Sequence, residues 1–269
     1  MAEVIQFSRV KEFPELETYQ VVNAAQSVSR HIHWVFSLSV CQSGIGVHET
    51  KQGKYDVIPG SIFVINSGET HSKWVPNGYT YSSCSIRIEP MFLDTLITQI
   101  SGQQLGTLHF QQPAIYNWAL AQQIISLYKT LEDHTSRLEK QCLLLDTLAK
   151  LYTGYSCERV KLPVTGHERA PILRACEYLQ DCSNENVSLS QLASIAGLSE
   201  FHLSRVFTKE IGVPPHTYQL QVRLKKATDL IASGKTLVEA SLETGFYDQS
   251  HFQKAFKKKF GVTPGQYKW

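Results

Sequence analysis

The sequence predicts a two-domain α+β protein: an N-terminal antiparallel β-barrel with flanking helices, followed by an all-α domain. Three observations carry this. Residues 1–110 consist of short Val-, Ile-, Phe- and Tyr-rich runs cut by turn residues. Near residue 113 the apolar spacing changes to the helical period. The last hundred residues contain an internal duplication of a helix–turn–helix pattern. A length of 269 residues suits two domains, and a hydrophobic content of 42% is enough for two cores.

In the first region the runs are HIHWVFSLSV (31–40), SIFVIN (61–66) and YTYSSCSIRI (79–88). Ser43-Gly44, Gly53, Pro59-Gly60, Ser67-Gly68 and Pro76-Asn77-Gly78 punctuate them. Regular short strands with turn signals predict a barrel or sandwich. Helices follow over 114–132 and 136–153, the second with Leu138, Cys142, Leu145, Leu148, Ala149 and Tyr152 on one face. Residues 154–168, with Gly154, Pro163 and Gly166 and no periodicity, read as a linker. The predicted division is therefore 1–153, linker 154–168, and 169–269.

Composition narrows the function classes. No apolar run is long enough for a membrane span, and no signal peptide is visible, which predicts a cytoplasmic protein without a membrane partner. Six cysteines form no CxxC pair and fit neither a zinc site nor a disulfide framework, so free buried thiols are expected. Residues 1–166 carry 13 Lys/Arg against 14 Asp/Glu, whereas residues 167–269 carry 13 against 10. Residues 244–269 hold five Lys against one Asp, so positive charge gathers at the C-terminal end, where a polyanion would meet it.

The duplication is specific. Ser188-x-x-Gln191 and Thr236-x-x-Glu239, both of capping-box form, lie 48 residues apart, as do Gly197 and Gly245. Beyond them the offset is 49: His202 with His251, Arg205 with Lys254, Phe207 with Phe256, Lys209 with Lys258, Pro215 with Pro264. Each unit reads helix, Gly turn, helix, with Ser199 and Asp248 as N-caps of the second helices. Those second helices pair an apolar face with a cationic one. A recognition helix in a major groove needs that arrangement, which points to double-stranded DNA as the partner.

Residues 170–269 resemble the C-terminal domain of AraC/XylS-type bacterial transcription regulators. The stretch GFYDQSHFQKAFKKKFGVTPGQYKW lies close to that family's signature, and Ser241 is a mild departure where a small apolar residue is usual. The resemblance implies about seven helices in two subdomains joined by a long helix, here about 215–233. It also implies recognition helices in successive major grooves, roughly 34 Å apart. Base-edge contacts carry over to Phe201, Ser204 and Arg205, and to Gln249, Ser250, His251 and Lys254. Phosphate contacts carry over to Lys209, Lys257, Lys258 and Arg223. Arg205 suits guanine and Gln249 adenine, while Phe201 offers only apolar contact. His202 and Leu203 are expected to pack inward. RNA polymerase and a homodimer are further partners that the family implies, and activation is its commoner mode.

Residues 29–90 resemble the cupin-like barrel that holds a small effector in many of these regulators. The carriers are Arg30-His31-x-His33, Gly44, Pro59-Gly60-Ser61-x-Phe63 and Ser67-Gly68-Glu69-x-His71. Pocket candidates are His31, His33, Trp34, His71, Trp74, Tyr81 and Arg87. A metal-binding cupin enzyme is the sharp alternative, since residues 31 and 33 share a strand face. Metal cupins also use a Glu after the HxH, which Trp34–Leu38 does not offer, and a Pro where Asn66 stands. No metal, cofactor or catalytic residue is therefore expected, and the chain reads as a non-enzyme. A constitutive regulator whose barrel only dimerises is the third reading.

Overall fold

A computed structural model describes residues 3–104, 109–157, 162, 168–260 and 262–266. The chain divides into two compact units, Met1–Asp133 with Leu144–Pro163, and His134–Leu143 with Val164–Trp269.

Among the described residues the first unit is built on ten strands: β1 (Val4–Val10), β2 (Phe13–Ala24), β3 (Val28–Ile32), β4 (Phe36–Gly44), β5 (Gly46–Glu49), β6 (Lys54–Val57), β7 (Ser61–Ile65), β8 (Thr70–Trp74), β9 (Tyr81–Ile88) and β10 (Ala114–Tyr116). They form a six-stranded sheet in the order β1-β2-β9-β4-β7-β10 and a four-stranded sheet in the order β3-β8-β5-β6. Every pairing is antiparallel.

Alternation sorts the residues of β9. Cys84, Ile86 and Ile88 are buried on one face, and Ser83, Ser85 and Arg87 point to the other. The apolar face is covered by helix α2 (Trp118–Glu132), which buries Leu120, Ala121, Ile124, Leu127, Tyr128 and Leu131. Asn117 caps α2 by accepting from the Leu120 N–H.

Two expectations fail here. Residues 90–101, read as strand and turn, form helix α1 (Pro90–Ser101). Pro90 starts it, and Leu93, Leu96, Ile97 and Ile100 are spaced to bury one stripe. Residues 114–116, read as helical, instead pair with β7 as an edge strand, and α2 begins only at Trp118. Asn66 anchors the chain before β10: its Nδ2 donates to the Phe110 carbonyl, and its Oδ1 accepts from the Phe110 N–H, both at 3.1 Å. That buried pairing accounts for Asn in place of the expected Pro.

Helix α3 (Arg137–Tyr155) contains the boundary between the units. Its first turns belong to the second unit, whereas the sequence division keeps them with the barrel. There the Gln141 Oε1 accepts from the Leu189 N–H at 2.7 Å, and the Arg137 N–H donates to Asn186. Gly154 and Tyr155 of the expected linker close α3, and residues 158–161 and 163–167 of it lie outside the described residues.

The second unit adds six α-helices among the described residues: α4 (Arg169–Asp181), α5 (Leu189–Ala196), α6 (Glu200–Ile211), α7 (Pro215–Ala232), α8 (Leu237–Glu243) and α9 (Gln249–Phe260). A 3-10 turn follows at Pro264–Gln266. Both capping boxes form, with Ser188 and Gln191 on α5 and Thr236 and Glu239 on α8. Gly197 and Gly245 take left-handed φ values of 72° and 81°. Pro215 opens the long helix α7.

The cores of the two halves differ. Around α5 and α6 the buried residues include Leu189, Leu192, Leu203, Val206 and Phe207. Around α8 and α9 a chain of rings dominates, with Phe246, Phe252, Phe256 and Phe260 in successive contact. Ser241 is fully buried there and donates its hydroxyl to the Val238 carbonyl, so a polar atom stands without penalty where the family places an apolar one. Four cysteines are buried as expected, but Cys157 is exposed and Cys182 half-buried.

Candidate ligand pocket and nucleic-acid interface

The two sheets of the first unit enclose a cavity of about 90 Å³. The larger sheet contributes Tyr19, Ser37, Ser39, Ile65, Tyr81, Ser83, Ser85 and Arg87; the smaller contributes His31, His48, His71 and Lys73. Register explains the gathering of imidazoles. His31 of β3 is the direct cross-strand partner of His71 of β8, and His33 follows His31 by two residues on the same face. His48 of β5 lies opposite Lys73 of β8. The His31, His33 and His71 rings are 4.4–5.0 Å apart, and His31 Nε2 is 3.0 Å from His33 Nε2.

Two of these rings, His33 and His71, are held neutral at pH 7. Burial, with Arg87 and His31 adding to it, pushes His33 down to about 4. Burial foremost, then the cationic forms of His31 and His33 and the charges of Lys73 and Arg87, pushes His71 down to about 3. Burial also lowers Lys73 to about 8. The cations face aromatic rings: Lys73 Nζ is 3.9 Å from the Tyr81 centroid, and the Arg87 guanidinium is 4.6 Å from that of Tyr19 and 5.0 Å from that of Phe7. Among the described residues, no acid lines the pocket. Glu17, the cross-strand neighbour of Arg87, has its carboxylate on Arg9 at 3.4 Å.

Of the pocket residues expected from sequence, His31, His33, His71, Tyr81 and Arg87 line this cavity. Trp34 and Trp74 do not. They are 72% and 56% exposed: Trp34 lies in the bend between β3 and β4, and Trp74 has the opposite strand parity from the inward pair His71/Lys73. Sequence reasoning missed Tyr19, His48 and Lys73. Lys73 was recoverable, since it stands two residues after His71 in the same strand.

In the second unit, α6 and α9 are the second helices of the two helix-turn-helix units. Ser199 caps α6 by accepting from the His202 N–H, and Asp248 accepts from the His251 N–H at the start of α9. Lys254, Lys257, Lys258 and Lys259 of α9 are exposed, as are Ser250 and, on α6, Lys209. Ser204, Arg205, Gln249 and His251 are half-buried. The Ser204 hydroxyl meets the Cys142 thiol, and the His251 ring packs edge-on against Phe246 at 5.3 Å.

Two expected DNA contacts are corrected. Phe201 is only 3% exposed and packs in the core with the Arg205 guanidinium over its ring at 5.5 Å, so it has no surface to offer a base. Arg223 is buried as well. Its Nε donates to the Ser183 carbonyl at 2.6 Å and its Nη2 to the Glu185 carbonyl at 2.8 Å, a structural role rather than a phosphate contact. His202 and Leu203 do pack inward, the former with its Nε2 2.6 Å from Glu168.

A lined cavity in a β-barrel, carried on one chain with a duplicated helix-turn-helix, defines a ligand-binding transcription regulator. Comparison with known proteins agrees. The AraC-like ligand binding domain matches residues 13–148, and a helix-turn-helix domain matches residues 192–268. The chain belongs to the AraC family of transcription regulators, with an N-terminal ligand-binding domain and a helix-turn-helix DNA-binding domain.

Similar curated proteins are transcriptional regulators. The uncharacterized HTH-type regulator YbfI of Bacillus subtilis is 29% identical over 237 residues, covering 88% of this chain and 85% of its own. The probable regulator LumQ of Photobacterium leiognathi is 28% identical over 222 residues, covering 78% and 80%. Among solved structures, ToxT of Vibrio cholerae covers 97% of both chains at 14% identity and a TM-score of 0.39. Among the described residues, no helix is long and apolar enough to cross a membrane.

Proposed function

We propose that this regulator binds a specific DNA site and responds to a small anionic effector held in the barrel. The observation that carries the effector class is the pairing of Lys73 and Arg87 in a cavity whose described lining has no carboxylate, each cation resting on an aromatic face. Cations withdrawn from water without an acid favour a ligand that brings the negative charge. His31, His33 and His71 and the hydroxyls of Ser37, Ser39, Ser83 and Ser85 then orient its polar groups. The barrel is non-catalytic in this reading, and the protein works in the cytoplasm.

On DNA, Arg205 and Gln249 read base edges, with Ser204, Ser250, His251 and Lys254 beside them. Lys209, Lys257 and Lys258 hold phosphates. Activation, with a contact to RNA polymerase and a homodimer, follows the family's commoner mode.

A thermal-shift screen of small carboxylates and phosphates tests the effector, because a ligand that binds only the folded state raises the midpoint. The expected hit stabilises the wild type and fails to stabilise Lys73→Met and Arg87→Met. Stabilisation by neutral sugars alone would sink the anionic reading. Mapping bound genomic sites with and without the hit tests responsiveness; identical maps would favour a constitutive regulator.

A further inference from the structure

The three barrel histidines that would orient an effector also support a second kind of chemistry. We propose that His31, His33 and His71 form a three-imidazole site for a divalent transition metal of the zinc, nickel and copper group. This inference does not rest on the effector reading, and it revises the expectation of no metal.

The geometry fits. One nitrogen from each ring falls within 4.8 Å of the other two. A tetrahedral ion with metal–nitrogen bonds of about 2.0–2.1 Å sets its ligand nitrogens roughly 3.3 Å apart. His31 Nε2 and His33 Nε2 are already 3.0 Å apart, so closure asks the third ring for a shift of at most about 1.5 Å.

The donor set is prepared as well. His31 Nδ1 lies 2.8 Å from the Ser29 carbonyl, so that nitrogen carries the proton and Nε2 keeps its lone pair for a metal. A ligating histidine is commonly fixed by just such a carbonyl on its other nitrogen. In the metal-free protein, His33 Nε2–H donates into that lone pair. His71 is only 7% exposed, and its Nδ1 is buried without a hydrogen-bond partner. A buried imidazole nitrogen without a partner, on a ring beside two other imidazoles, can be satisfied by a cation.

Two neighbours shape the site's character. His48, whose ring stacks 5.5 Å from His71, is fully enclosed and outside the three-nitrogen set. Lys73 and Arg87 bring positive charge toward the same cavity and oppose a bare dication. They therefore favour an anion, hydroxide or carboxylate, in the fourth coordination position. With neutral nitrogen donors and no thiolate in the set, the site suits zinc, nickel or copper(II) rather than magnesium or calcium.

The test uses full-length protein stripped with chelator and dialysed. Titration with Zn²⁺, followed calorimetrically, should give one ion per chain. X-ray absorption at the zinc edge of the wild type should show a shell of imidazole nitrogens without sulfur. His31→Ala, His33→Ala and His71→Ala should each weaken binding about 100-fold or more, while His109→Ala, on an exposed residue, leaves it unchanged. The absorption measurement needs no variant, so a substitution that unfolds the barrel does not blunt the test. No binding by the wild type, a sulfur-containing shell, or affinity that survives all three substitutions would overturn the site.

Discussion

In the first helix-turn-helix the turn residue Gly197 faces open space; in the second, Gly245 lies against the Asn184 backbone. Both take the same left-handed conformation, so the local sequence treats them alike. Their surroundings do not. A Cβ on Gly245 would stand 2.4 Å from the Asn184 carbonyl oxygen, whereas one on Gly197 would meet nothing within 4 Å. The cores repeat the contrast, mixed aliphatic and aromatic behind α6 and a continuous chain of phenylalanine rings behind α9. Two copies of one motif can thus share capping and turn chemistry yet depend on different neighbours for support.

The largest expected effect comes from breaking that asymmetry directly. Gly245→Ala should cost about 3 kcal/mol, combining left-handed strain with a backbone clash, and Gly197→Ala about 1 kcal/mol, from strain alone. Urea denaturation of the two variants measures the difference. Equal losses would show that the Asn184 backbone gives way freely.

Acid should strike the DNA-binding unit next. His216, at the start of α7, is held down to about 4 by burial and by Lys258. Its folded pKa lies below the unfolded value of about 6.5, so the folded state prefers the neutral ring. The stabilisation is fully present above about pH 6.5 and is lost as pH falls toward 4, by up to about 3 kcal/mol. In the first helix-turn-helix, His202 instead has the Glu168 carboxylate beside it. Unfolding midpoints at pH 7 and pH 4.5 should separate wild type from His216→Gln, with the variant flatter; parallel profiles would remove His216 from the account.

On DNA the contrast becomes one of reading against holding. Arg205→Ala should lose about 1–3 kcal/mol of discrimination at one base position. Replacing Lys257 and Lys258 by Ala should weaken binding to all sequences and reduce the salt slope by about one for each phosphate no longer held. Anisotropy titrations across salt concentrations, on matched and mismatched sites, resolve the two patterns. The caps give smaller losses than Gly245 or His216. Ser188→Ala, on a buried hydroxyl, should cost about 1–2 kcal/mol, and Thr236→Ala, on an exposed one, about 0.5–1 kcal/mol.

What the sequence shows well is what neighbouring residues settle among themselves. The capping boxes, the turn glycines, the Pro215 start of α7 and the duplication offset are local chemistry, and all are visible in the order of residues. The pocket is legible only in part. His31, His33 and His71 can be paired on paper, but Trp74 follows a strand parity that pairing partners fix from outside, and Trp34 falls in the bend between β3 and β4. His48 reaches the cavity through register between β5 and β8, which no short window contains, whereas Lys73 shares a strand face with His71. Phe201 escapes for a related reason: its helix position is shared by base contact and core packing, and burial against the rest of the unit decides between them. Helix α1 is hidden inside a stretch otherwise written in strands, although its spacing is there to count.

The short connection at residues 183–185 meets both halves of the DNA-binding unit through its main chain. The Ser183 and Glu185 carbonyls accept from Arg223 and from Gln219 of α7, and the Asn184 carbonyl abuts Gly245. The gauge between the two reading heads is thus cut in peptide oxygens. The exposed side chains of Asn184 and Glu185 can therefore vary without touching these contacts, whereas Ser183 is itself buried. Gly245, Gln219 and Arg223 are the positions whose side chains, or lack of one, meet that main chain.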